Sequence, residues 1–204
     1  MSSSGHNPGL PRSQSQKRKT AVGEAFTMFR PLDPDSAQTL HDQLSSVKRE
    51  GLLPDHAEIR SPDTMRVTYV ERSKLTKNLK GFAAGFSAAE AISRINTECD
   101  SWDNRLIVSL GRVTMMDQRD ESAVARLDHS QIIAEEFNLI ANVLTALNVK
   151  GMHRDRFRPH ISLVRVAAAT EDEKKFLSRE LPYVIPDEIS LQPLTTWPKK
   201  PTRR

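Results

Sequence analysis

The sequence predicts an α+β domain with a mostly antiparallel sheet and helices packed on its outer face. Three observations carry this. Short β-favouring runs alternate with helical stretches in the order β-α-β-α-β-β-α-β-α-β. Neither G-x-G-x-x-G nor G-x-x-x-x-G-K-[ST] occurs, which removes the main support for nucleotide-loop folds with parallel sheets. At 204 residues the chain suits one domain with tails and is long enough to bury a real core.

EAFTMFRPL, residues 24–32, is apolar and β-favouring and ends at Pro31 and Pro34. Ala37, Leu40, Leu44 and Val47 then recur at helical spacing, with Gly51 as a natural stop. MRVTYVE, 65–71, alternates and reads as a strand. A helix is expected from about Ala88 to Cys99, after a looser connection marked by Gly81 and Gly85. RLIVSLGRVTMM, 105–116, is a strand bent at Gly111, and SAVARLD, 122–128, is another. Ser130–Leu147 is the strongest helix, its stripe formed by Ile132, Ile133, Phe137, Ile140, Val143, Leu144 and Leu147. A loop (148–156), strand (157–166), helix (171–180) and strand (188–197) complete the order.

Charge is unevenly placed. Residues 1–20 hold Arg12, Lys17, Arg18 and Lys19 without an acid, and 198–204 hold Lys199, Lys200, Arg203 and Arg204 without one. The chain's net charge is +4, so removing the two tails at +4 each leaves a body of −4. The Ser/Gln/Pro-rich stretch 1–21 cannot bury enough apolar surface to fold alone, so solvated, disordered basic ends at 1–21 and 198–204 are the first expectation, and weak nucleic-acid contact through counterion release is the alternative. The body is 22–197. A single cysteine, Cys99, excludes an intrachain disulfide and gives no metal framework. No apolar run approaches the ~20 residues that span a bilayer, and a secretory signal is missing, so a cytoplasmic protein with no membrane contact is the expectation.

The chemistry concentrates in RFRPHISLVRV, 156–166. Alternation puts His160 and Ser162 on one strand face, with Arg158 sharing it, and Ile161 and Leu163 on the other. Imidazole exchanges a proton near neutral pH, and a neighbouring hydroxyl can hold a phosphate oxygen. A lone H-x-S triplet is a weak signal. Its flanks raise it: Phe157, Pro159 directly before the histidine, and apolar residues at 161 and 163.

F-R-P-H-I-S-L-V-R resembles the second signature of the two-histidine phosphoesterase superfamily, whose members carry two H-x-[ST] motifs on paired strands of a two-lobed α+β fold. Of the six histidines only His160 has Ser or Thr two residues on, so the strict pattern is broken. The place of the first motif is still recognisable in Pro62-Asp63-Thr64-Met65-Arg66-Val67-Thr68-Tyr69, where Arg66 occupies the histidine slot and Thr68 the hydroxyl slot. Arg66 and Thr68 share one strand face, and Val67 and Tyr69 take the other.

The resemblance implies a phosphodiesterase that works without metal or other cofactor on a nucleotide or oligonucleotide ligand: a 2′,3′-cyclic phosphate, a cyclic oligonucleotide or an RNA end. His160 would be the general acid or base, Ser162 and Thr68 would hold phosphate oxygens, and Arg66, Arg158 and Tyr69 would bind the substrate. Arginine stays protonated and cannot act as a base, but it clamps phosphate with two hydrogen bonds. Three outcomes stay open: slow turnover by His160 alone, replacement of the lost group by His56 or His153, or binding without cleavage. Arg154, Arg156 and Arg165 cluster in sequence around His160, and Trp102 and Trp197 are further aromatics of nucleotide-stacking type.

Overall fold

The computed structural model describes residues 27–70, 88–98, 104–116, 122–127, 130–147, 152, 154 and 157–197. The basic tails, Trp102, Cys99, His153 and Arg156 lie outside the described residues. In chain order the elements are β1 (Thr27–Pro31), α1 (Pro34–Arg49), β2 (Glu58–Ile59), β3 (Arg66–Val70), α2 (Ala88–Glu98), β4 (Leu106–Ser109) and β5 (Val113–Met116). Then follow β6 (Ser122–Arg126), α3 (Gln131–Ala146), β7 (His160–Arg165), α4 (Glu171–Glu180), β8 (Glu188–Leu191) and β9 (Thr195–Trp197). The fold is α+β, and every strand pair among the described residues is antiparallel.

Two groups of strands result. One sheet runs β3-β1-β9, and a bridge between Leu32 and Leu191 joins it to the pair β4-β8. The other runs β2-β7-β6-β5. Two of the expected long strands are therefore each cut in two. The run 105–116 does more than bend at Gly111: β4 belongs with β8, and β5 belongs with β6. The run 188–197 is interrupted after Leu191, so that β8 pairs with β4 and β9 with β1. In both cases an interruption passes the chain from one sheet partner to the next. Sequence alternation alone does not register this, because the side-chain pattern resumes on either side of the break.

Helix ends follow their local chemistry. Asp33 caps α1 by accepting from the Asp35 amide at 3.2 Å, and Pro34 fills the first helical turn, where no amide donor is needed. At the other end Gly51 has φ 75. Its amide donates to the Lys48 carbonyl and the Leu52 amide to the Val47 carbonyl, the paired bonds of a Schellman motif that only a residue tolerant of positive φ completes without strain. Thr170 and Glu173 form a reciprocal capping box at the start of α4.

The core draws on α1, α3 and the inner faces of the strands. In α3, Ile133, Ile140 and Leu144 are fully buried, each contributing about 1.5–3 kcal/mol by leaving water. Ile132, expected in that stripe, is exposed, and Glu136 is buried in its place. No helix among the described residues is long and apolar enough to cross a membrane.

Candidate functional site

Strands β3 and β7 carry the two sequence motifs, and they lie against each other although they belong to different sheets. Their exposure runs in step. Val67 and Tyr69 are buried while Thr68 is half-buried and Arg66 exposed; Ile161 and Leu163 are buried while His160 and Ser162 are half-buried. The alternation read from sequence is thus the one the fold uses. Each strand gives its apolar side chains to the core and keeps its arginine–threonine or histidine–serine pair outside it.

His160 is oriented from behind. Its Nδ1 lies 2.8 Å from the carbonyl oxygen of Arg158. A carbonyl oxygen only accepts, so Nδ1 carries the proton and the neutral ring keeps its lone pair on Nε2. That is the tautomer required for Nε2 to take a proton. The Arg158 side chain turns back on its own turn, Nη1 donating to the Phe157 carbonyl at 2.9 Å.

A residue not singled out by sequence enters here. Arg126 in β6 is the direct cross-strand partner of His160, which places both side chains on one sheet face with Cβ atoms about 5 Å apart. Its Nε donates to Thr114 Oγ1 at 2.9 Å, while Nη1 is buried without a hydrogen-bond partner. Gly111 sits tightly over it: the glycine amide donates to the Arg126 carbonyl at 2.6 Å, and a Cβ on Gly111 would meet that oxygen at 3.1 Å. The signal was present as Val124 and Arg126 in SAVAR, but it needed the β6–β7 register to be read.

In β3, the Arg66 guanidinium stands 4.6 Å from the centre of the Phe29 ring, a cation–π contact that holds the cation at the strand surface. Tyr69 has a different environment from the one assigned to a substrate-binding residue. It is 5% exposed and its hydroxyl donates to Glu136 Oε2. The same carboxylate takes Arg30 Nε at 2.9 Å and Nη2 at 2.5 Å, and Arg30 Nη1 donates to the carbonyls of Asn104 and Gln192. Burial first, and then the charge of Glu136, push the Tyr69 phenol far above its ordinary value, so it remains a donor. Tyr69 therefore belongs to a buried polar network on the core side of β3. Phe157 stacks on Phe137 at 3.7 Å and packs at 6.0 Å from Tyr69, which ties the chain entering β7 to this network.

The other sequence candidates separate. His56 does not stand in for a missing histidine. It precedes β2, which pairs with Val164 and Arg165 at the far end of β7, and it lies within electrostatic reach of Glu173 at the start of α4. The five-residue step from His160 to Arg165 is about 16 Å of extended strand. Arg165 likewise leaves the cluster around His160: it is at that far end and pairs with Glu58 at 3.5 Å. Trp197 pairs through its backbone with Thr27. Arg154 and Arg158 come together beside His160, joined by Arg112 and Arg126, around a cavity of about 710 Å³. His160, Ser162, Arg66 and Thr68 are not in its wall, which begins at Pro159.

The fold and the apposed strands β3 and β7 define a class: an antiparallel α+β architecture in which two sheets bring the motif strands together. No family model matches this sequence, and no curated protein is significantly similar to it. Solved structures do share its fold. A structure described as a phosphoesterase matches with a TM-score of 0.51 at 11% identity, covering 84% of this chain and 85% of that one. LigT from E. coli, complexed with 3′-AMP, matches with a TM-score of 0.51 at 13% identity, covering 85% of this chain and 86% of that one.

Proposed function

We propose that this chain is of the two-histidine phosphoesterase type and acts on a nucleotide phosphodiester with one acid–base group, His160, and one fixed cation, Arg66. The observation that carries the reading is the contact of β3 with β7, each keeping its motif pair outside the core. The likeness in fold to a phosphoesterase and to LigT supports it.

Arg66 and the hydroxyls of Thr68 and Ser162 bind the non-bridging phosphate oxygens. Nε2 of His160 removes a proton from water, the water oxygen bonds to phosphorus, and the bond from phosphorus to the leaving sugar oxygen breaks. The leaving oxygen takes its proton from solvent, because the arginine in the other motif keeps its proton at neutral pH and does not release it. Loss of one general acid–base group typically lowers the rate by about 10²–10⁴-fold, so turnover is slow. A second reading, a nucleotide-binding protein that leaves its ligand intact, is favoured by the placement of Arg66 over Phe29 as a permanent charge.

Incubation with 2′,3′-cyclic nucleotides, cyclic dinucleotides and cyclic trinucleotides, with His160→Ala as control, tests both. Turnover abolished by His160→Ala supports the enzyme. Tight binding of unchanged ligand supports the second reading. Failure to bind any of these ligands removes both.

A further inference from the structure

The cavity beside His160 is lined by four arginines, Arg112, Arg126, Arg154 and Arg158, together with Ser130 and Phe157, and by no carboxylate among the described residues. Two of these, Arg126 and Arg154, bring like charge to an open volume, which is costly unless an anion or water occupies it. The bonds of Arg126 and Arg154 do not neutralise them: one donates to the Thr114 hydroxyl and the other to the Asn142 side-chain oxygen. Arg126 further keeps its Nη1 buried with a donor unused. The N-terminus of α3 also opens on this volume. Its cap residue Ser130 makes no side-chain cap hydrogen bond, and its first turn holds no acidic residue. The helix dipole therefore adds to the arginines instead of being answered by a side chain. On the apolar side, Phe157 is held rigid by its stack on Phe137.

We infer that this cavity seats a second phosphate of the ligand, so that the phosphodiester engaged at His160 belongs to an oligonucleotide and not to a mononucleotide. The inference rests on the reading of His160 as the phosphodiester site. The link between the two places is the β6–β7 ladder: Arg126, in the cavity wall, is the cross-strand partner of His160, and Pro159, also in the wall, precedes it. A ligand reaching from one to the other needs two phosphates about one nucleotide apart. An arginine fork binds such a phosphate bidentately, and Phe157 offers an aromatic wall to the base between them.

The test compares two probes without a cleavable phosphodiester by calorimetry: adenosine 3′-monophosphate, with one phosphate, and the adenine dinucleotide bearing 5′- and 3′-phosphates, its internal linkage replaced by a charged bridging methylenephosphonate. The natural chain should bind the dinucleotide more tightly. Arg126→Gln and, separately, the exposed Arg154→Gln should each weaken the dinucleotide by about 10- to 100-fold and leave the mononucleotide within about twofold. Each should also reduce the salt slope of dinucleotide binding by about 0.7. The variants' far-UV spectra and melting curves establish that they fold, and Arg154→Gln covers the case in which loss of Arg126 disturbs β6. Equal affinity of the natural chain for both probes, or equal loss on both in the variants, overturns the inference; if His160→Ala still weakens both probes, the phosphodiester reading survives it. An arginine effect with no effect of His160→Ala on either probe overturns that reading and this inference together. Binding of neither probe does the same.

Discussion

The Arg158 carbonyl oxygen holds Nδ1 of His160 at 2.8 Å, so the protonation pattern of the imidazole is set by backbone and not by a side chain. Arg158→Ala should therefore leave the tautomer unchanged. Nitrogen chemical shifts of His160 should show protonated Nδ1 in both the natural chain and the variant above the imidazole titration. A switch to protonated Nε2 in Arg158→Ala would show that the side chain, not the carbonyl, fixes the ring.

Arg66→His should restore a second group able to exchange protons. Arg66 is exposed, so the change leaves the core of β3 untouched. Hydrolysis of a 2′,3′-cyclic nucleotide should rise by about 10²–10⁴-fold, with a bell-shaped pH–rate profile reporting two groups in place of one. An initial rate equal to or below that of the natural chain counts against placing Arg66 in the histidine slot.

Removing the Glu136 carboxylate strands the Arg30 guanidinium, which is 0% exposed. Glu136→Ala should cost about 3–5 kcal/mol, the usual result of leaving one buried charge unpaired. Tyr69→Phe deletes one donor while Arg30 still serves the carboxylate, and should cost roughly 1 kcal/mol. Urea unfolding ranks the two. Converting both charges at once, Arg30→Met with Glu136→Leu, should cost less than Glu136→Ala alone.

The chain has two tyrosines, and their ionisation should differ. Tyr183 is 87% exposed, whereas the Tyr69 phenol is pushed far upward by burial and by Glu136. Ultraviolet titration of the folded protein should show one phenolate, not two, before unfolding. The unfolded chain ionises Tyr69 near pH 10, losing a proton that the folded chain keeps. Stability should accordingly fall as pH rises past about 10, and Tyr69→Phe should flatten that fall. Two tyrosines ionising together in the folded state would contradict the placement of Tyr69.

Much of this was legible because it depends on local periodicity. The in–out alternation of Arg66–Tyr69 and of His160–Leu163, and the bounds of α1 and α4, follow from neighbours in the chain. What escaped depends on register and partner choice. Arg126 gains its meaning only from lying opposite His160, and Glu136 reads as a surface acid until Arg30 and Tyr69 are brought to it from β1 and β3. Glu136 does occupy the stripe position between Ile133 and Ile140, which was the available hint. Tyr69 reads as a substrate residue only as an aromatic beside a motif, although the alternation that turns Arg66 and Thr68 outward already sets it on the opposite face.

The pairing of β1 with β9 has a further consequence, for the time at which the protein becomes foldable. Thr27 pairs with Trp197 across nearly the whole described chain, and Arg30 needs the Gln192 carbonyl. The β5–β6–β7 sheet, by contrast, closes within residues 113–165. On a ribosome that sheet can assemble as it emerges, and β1 can pair with β3 earlier still, but the other edge of β1 waits for β9 and Arg30 waits for Gln192. Loop closure over such a span is slow relative to local pairing, so the β9 edge of β1 stays open longest to chaperones and to misassembly.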